Sequence, residues 1–151
     1  METIDPRILR FISQHHVLTL AVARDNTPYC AHCYYAYIRE KNLFIFTSDP
    51  DTRHIRDVVE GGNDRVTAGI ALETKIVGKI RGLQVTGRLF LPEGDGMKEA
   101  RKAYLSRFPF AALMSLHLWA LEPGFMKLTD NRLGFGAKLT WRSGNEHENT
   151  P

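Results

Sequence analysis

The two linkers Arg24-Asp25-Asn26-Thr27-Pro28 and Arg39-Glu40-Lys41-Asn42 restrict the fold most. The first joins the apolar run Val17 to Ala23 to residues 28–38, and the second joins that stretch to Leu43-Phe44-Ile45-Phe46-Thr47. Parallel neighbours need a crossover of a dozen or more residues, so linkers this short call for antiparallel pairing. The three strands therefore read as a meander, and a doubly wound α/β sheet is disfavoured.

The remaining elements follow from periodicity. Asp5-Pro6 reads as an N-cap with proline at the first helical position, and Ile8, Phe11, Ile12 and His15 continue at helical spacing over residues 5–15. Residues 49–60 read as a second helix stopped by Gly61-Gly62, with Thr52, Arg53 and His54 in its first turn. Arg65 to Leu72 alternates as a half-buried strand. Between Gly78 and Leu91 the alternation changes phase, because Ile80 is even while Leu83, Val85, Leu89 and Leu91 are odd. This predicts a β-bulge at Gly82, with Gln84, Thr86 and Arg88 on the polar face. Met97, Ala100, Tyr104 and Phe108 mark a third helix, which Pro109 ends or follows with a short fourth. Leu116 to Leu121 and Phe125 to Leu128 read as two strands around the turn Glu122-Pro123-Gly124, and a loop over 131–136 leads into Lys138 to Trp141. Six or more short antiparallel strands with peripheral helices give an α+β, mainly β domain of barrel type.

With 151 residues the chain reads as one domain over 1–141, followed by a polar tail over 142–151 that is expected to be disordered. Its 20 Lys and Arg against 17 Asp and Glu are scattered rather than blocked, so a nucleic-acid partner is not indicated. The first residues lack a signal pattern, and no apolar run approaches the roughly 20 residues of a membrane span. The expected location is cytoplasmic, where both cysteines would be thiols.

Those cysteines lie in Cys30-Ala31-His32-Cys33. A redox pair or half a zinc site would need this motif on a turn or at a helix start. Its flanks are those of a strand, where residues three apart face opposite ways with Cα atoms about 10 Å apart, beyond the roughly 7 Å limit for a disulfide. No second C-x-x-C or histidine pair completes a metal site.

Phe44 to Asp57 carries more chemistry: a strand ending in Thr47-Ser48, then a helix start with Thr52, Arg53 and His54. Unpaired N–H groups, a hydroxyl and a guanidinium suit a phosphate, although Asp49 and Asp51 crowd the same end. An ordinary Asp-capped helix with a solvated arginine reads equally well. The loop of Asn131, Phe135 and Lys138 followed by Trp141 suits closure over a flat ring, or is simply a turn and a core tryptophan. No Ser-His-Asp order, carboxylate pair or Gly-rich phosphate loop stands out, and no catalytic residue is assigned.

The order of helix, meander, T-S-x-x-x-T-R and G-L-Q-V-T-G resembles the pyridoxamine 5'-phosphate oxidase-like FMN-binding split barrels. RGLQVTG, EARKAYLSRFPFA and TDNRLGFGAKLTW resemble, more narrowly, the bacterial YhbP-like family, and the likeness spans residues 4–141. The resemblance implies an antiparallel split β-barrel, a homodimer, and FMN at the subunit interface. It implies a hydroxyl and guanidinium phosphate seat at Thr52 and Arg53, with His54 where the family has lysine, which replaces a fixed charge by a titratable one. It places Gln84 at the isoalloxazine ring, Thr47 and Ser48 as further contacts, and the second strand along the flavin, with His32, Cys33, Tyr34 and Tyr35 as cleft wall. Alanines at Ala31 and Ala36, where the oxidases carry basic residues, argue against pyridoxamine phosphate as substrate. The implied function is a flavoprotein whose FMN transfers hydride or electrons to a small molecule; the alternative is a non-catalytic barrel holding another flavin, haem or a metabolite.

The strand reading is directly testable. Mild oxidation of the native protein should leave both thiols titratable; a Cys30–Cys33 disulfide formed without unfolding, seen by mass spectrometry, would show that the motif is not on a strand.

Overall fold

The computed structural model describes residues 2–144. Asp5 accepts from the Arg7 backbone N–H at 2.8 Å, and with Pro6 it starts α1, Pro6–Gln14, whose Ile8, Phe11 and Ile12 are buried. β1 (Val17–Arg24) and β2 (Thr27–Ile38) are longer than expected because their connection is only Asp25-Asn26. Both residues take positive φ, +49° and +60°, the geometry of a tight hairpin that Asp and Asn tolerate at little cost. β3 is Leu43–Thr47, as read.

The second helix, α2, starts later than expected, at Arg53, and ends at Val59. Its N-cap is Thr52 rather than an aspartate, and the Thr52 hydroxyl turns back to the Asp49 carbonyl instead of capping the helix. β4 is Arg65–Ala71, β5 is Arg81–Phe90 and α3 is Gly94–Arg107, followed by a 3-10 turn over Pro109–Leu113.

Two expectations fail together at β6. The segments on either side of Glu122-Pro123-Gly124 form one strand, Leu118–Asp130, and the expected turn is a bulge inside it. Thr86 of β5 pairs with Phe125 and Gly87 pairs with Pro123, so Gly124 is the extra residue. Gly82, the expected bulge, pairs in regular register with Ala71 and Thr129. The phase change that suggested it arises because Ile80 lies outside β5, after a 3-10 turn over Val77–Lys79. Inside β5 the alternation is regular, with Leu83, Val85 and Leu89 buried and Gln84, Thr86 and Arg88 exposed.

The sheet order is β3-β2-β1-β4-β5-β6-β7, with β7 at Lys138–Arg142, all neighbours being antiparallel. A further pairing of β3 with the first part of β6, Phe44 with Leu121 through Thr47 with Leu118, closes it into a barrel. Beyond the bulge, β6 turns to pair with β7 instead. The interior packs Leu18, Leu20, Tyr35, Phe44, Phe46 and Val85 with α1 residues Ile8, Phe11 and Ile12 and α2 residues Ile55 and Val58. A second cluster, Ala36, Ile45 and Ala120 with Ala100 and Tyr104, lies where α3 covers the outside of β2, β3 and β6. The outer side of β1, β4 and β5 is lined by small and polar residues such as Thr19, Ala21, Thr67, Gly69, Gln84 and Thr86. No helix among the described residues is long and apolar enough to cross a membrane. The polar tail expected from 142 lies outside the described residues beyond Gly144, and Arg142 itself still belongs to β7.

The bulge depends on a missing side chain. A Cβ on Gly87 would lie 2.1 Å from the Glu122 carbonyl oxygen, whereas one on Gly82 would meet nothing nearer than 3.7 Å. Gly87→Ala should therefore cost about 1–3 kcal/mol in urea unfolding while Gly82→Ala costs under ~1 kcal/mol; equal costs would mean that the bulge does not require this close approach.

Candidate functional site

The end of β3 is fixed by the start of β6. The Thr47 hydroxyl accepts from the His117 backbone N–H at 3.1 Å, the Ser48 N–H donates to the His117 carbonyl at 2.9 Å, and the Trp119 indole N–H donates to the Ser48 carbonyl at 2.9 Å. Ser48 is thereby held with its hydroxyl 2.8 Å from His54 Nε2 and 3.9 Å from the Cys33 thiol. Thr52 Oγ1 lies 3.5 Å from the same imidazole nitrogen. Five sequence-predicted residues, Cys33, Thr47, Ser48, Thr52 and His54, are thus linked by contacts at one edge of the barrel.

The charge in this cluster differs from its sequence reading. His54 is half-buried, and burial pushes its pKa down, a push that Asp57 only partly opposes. Arg53 lies 4.2 Å over the Tyr29 ring and 3.5 Å from the nearly buried Asp57 carboxylate, which also meets Arg24 at 4.0 Å. Its guanidinium is half exposed and supplies the fixed positive charge. Asp49 and Asp51 are exposed, and Asp49 is 3.8 Å from His117. Two hydroxyls, an imidazole and a guanidinium are a donor set suited to an oxyanion.

β2 divides its four candidate residues between two faces. Cys33 and Tyr35 point into the core; burial pushes the Cys33 thiol up, and the fully buried Tyr35 hydroxyl donates to the Ile12 carbonyl at 2.7 Å. His32 and Tyr34 face outward: His32 Nδ1 is 2.8 Å from Thr19 Oγ1, and Tyr34 stacks on His16 at 5.7 Å. Cys30 is exposed while Cys33 is buried, so the strand does separate the two thiols, and both are free. Gln84 is exposed on the same outer side as His32, in the cross-strand row His32–Thr19–Gly69–Gln84. That row puts His32 and Gln84 about 14 Å apart across three strand spacings.

The pair Lys138 and Trp141 does not close over one site. Lys138 is exposed, whereas Trp141 is buried, 5% exposed, with its indole N–H donating to the Glu2 carbonyl at 2.8 Å. Trp119, Tyr29 and Thr19, which position Ser48, Arg53 and His32, were not singled out by sequence. Trp119 and Thr19 act across strand pairings, and only the alternation of β2, which puts Tyr29 on the Cys33 side, gave a local signal.

No family model matches the chain. It is 38% identical over 142 residues to a UPF0306 protein of Klebsiella pneumoniae, covering 94% of this chain and 95% of that one. The chain belongs to the UPF0306 family. A UPF0306 protein YhbP of Escherichia coli O157:H7 is 35% identical and matches 98% of this chain and 99% of its own. Among solved structures, this UPF0306 fold is similar to a heme binding protein from Mycobacterium smegmatis, with TM-score 0.73, 17% identity and 87% of this chain covered; the match spans 55% of that protein. It is also similar to a FAD-binding protein from Mesorhizobium loti, with TM-score 0.65, 21% identity, and 82% and 90% of the two chains covered. At these identities the likeness shows the fold alone, an antiparallel split barrel.

His54 provides a check on the geometry of this UPF0306 site. Its imidazole should titrate below the ordinary 6.5 in an NMR pH series. Because the folded pKa is depressed, the unfolded chain takes up the proton first as pH falls, so this histidine's contribution to stability is present above about pH 6.5 and is lost below it. His54→Gln should flatten that part of the stability profile; an unchanged profile would mean that His54 is solvated.

Proposed function

We propose that this protein is a cytoplasmic, homodimeric flavin-binding protein, and that FMN bound at the Ser48–His54 cluster performs hydride or electron transfer on a small molecule. The observation that carries the reading is the convergence of the Ser48 and Thr52 hydroxyls on the His54 imidazole at the end of β3, with Arg53 next to His54 in the chain and held over the Tyr29 ring. The donor set fits a terminal phosphate: Arg53 provides the fixed charge, Ser48 and Thr52 provide hydroxyls, and Thr47 braces the turn. FMN, when bound, would supply the redox chemistry, while the chain binds and orients it. The similar FAD-binding protein supports a flavin in this kind of barrel.

The outer sheet side supports the homodimer. The rows through Thr19, Gly69 and Gln84 and through Ala21, Thr67 and Thr86 carry small or short polar side chains, which lets another sheet approach closely. Within one subunit Gln84 and His32 are separated by two intervening strands, and a second copy would bring Gln84 of one chain toward the other's flavin.

A second reading, a binding module for haem or another metabolite without catalysis, is favoured by one feature. With His54 kept neutral by burial, the seat has a single fixed positive charge, which is modest for a phosphate dianion. The similar M. smegmatis protein binds heme.

The visible spectrum of natively purified protein, followed by a fluorescence titration with FMN, separates these readings. Flavin absorbance or quenching of added FMN is expected, and Arg53→Ala should weaken binding by about 1.5–3 kcal/mol, the range for a charge-assisted hydrogen bond. A protein that ignores FMN would sink the flavin reading, and unchanged affinity in the variant would displace the phosphate seat. Turnover with NADH or NADPH would distinguish an enzyme from a binder.

A further inference from the structure

Away from the Ser48 cluster, the chain gathers four arginines at the corner where α1 crosses the start of β5 and the end of β6. A cavity of ≈ 130 Å³ there is lined by Arg7, Arg10, Gln14, Arg81, Asp130 and Arg132. Arg81 opens β5 and pairs in register with Asp130, and its guanidinium lies 5.8 Å over the Phe11 ring. Arg81 Nε is buried and has no hydrogen-bond partner among the described residues. A buried donor left unpaired costs about 1–3 kcal/mol, more when charged, and native proteins usually meet such a group with an ion or a water.

The neighbouring carboxylates are already engaged. Asp130 is fully buried; one oxygen accepts from the Arg132 backbone N–H and Nε, both at 3.0 Å, and the other accepts from Arg132 Nη2 at 2.7 Å. That fork holds the Asp130 carboxyl below the usual range. Asp5 serves Arg7 in the same way, at 2.9 and 2.7 Å. Arg10, exposed on α1, has no ion pair among the described residues. Two guanidiniums therefore share one small cavity without a carboxylate of their own.

We propose that this corner binds a small phosphate-class oxyanion, seated on Arg81 and Arg10 with the Gln14 amide as a further donor. Guanidinium forks match the spacing of oxyanion oxygens, and two uncompensated charges favour a dianion over a monoanion. One water needs only about 10–15 Å³ of such space, so the cavity has room for a four-oxygen group. β6 runs from Leu118, next to Thr47, to Asp130, a path of roughly 40 Å along the strand. The two sites share no residue, so this proposal goes beyond the flavin reading and stands without it.

Isothermal titration of inorganic phosphate into the purified full-length protein, with acetate at matched ionic strength, tests it. Saturable phosphate binding tighter than acetate binding is expected. It should weaken at least about tenfold in both Arg81→Gln and Arg10→Glu, and it should persist in Arg53→Ala, a background in which the other proposed phosphate seat has lost its fixed charge. Arg10 is exposed, so Arg10→Glu decides the matter if circular dichroism shows that Arg81→Gln does not fold. No saturable binding, equal affinity for acetate, wild-type affinity in Arg10→Glu, or loss in Arg53→Ala alone would each overturn the proposal.

Discussion

A single strand, β6, has to satisfy different partners along its length, and this requirement organises the molecule. Its first part pairs with β3 and its last part with β7, while β5 follows it throughout. One flat strand cannot do this, because closing a barrel requires the sheet to bend sharply at some point. The extra Gly124 and the Pro123 ring supply the bend, and Gly87 on the facing strand makes room for the Glu122 carbonyl. Once closed, the barrel brings Trp119 and His117 against the end of β3, and the Ser48 hydroxyl takes its place from those hydrogen bonds.

What was legible in the sequence was local. Asp5-Pro6, the Asp25-Asn26 turn and the alternation of β5 each state their structure within a few residues, and the T-S-x-x-x-T-R stretch contains most of its own cluster. What was not legible depended on distant pairing. Pro123-Gly124 has the composition of a turn, and only the register with β5 shows that the strand continues through it. Ile80 looked like a shifted strand residue because a short helical turn and a strand abut there. Whether Cys33 or His32 faced a cleft also depended on which side of β2 the core formed, and the separation of Lys138 from Trp141 followed from β7 pairing.

The electrostatic character of the two polar regions is set by burial rather than by residue count. At the Ser48 cluster, desolvation keeps the histidine neutral and Asp57 draws on Arg53, so a group of nominally basic residues presents little fixed charge. At the α1 corner, two aspartates are consumed by their own local arginines two residues away, and this leaves the other guanidiniums electrostatically exposed to each other. Counting basic residues along the chain would rank these regions similarly; their hydrogen bonds separate them.

The β3–β6 closure also has a consequence during synthesis. Leu43-Phe44-Ile45-Phe46-Thr47 is uncharged, apolar and rich in β-forming residues, the composition of segments that self-associate when an edge is open. In the finished barrel both its edges are paired, but the partner that covers the second edge lies more than 70 residues further along the chain. A nascent chain that has delivered only the meander therefore carries a sticky, half-covered strand until β6 emerges. Its yield in the cell depends on how quickly that last partner arrives, or on a chaperone that shields the edge in the meantime.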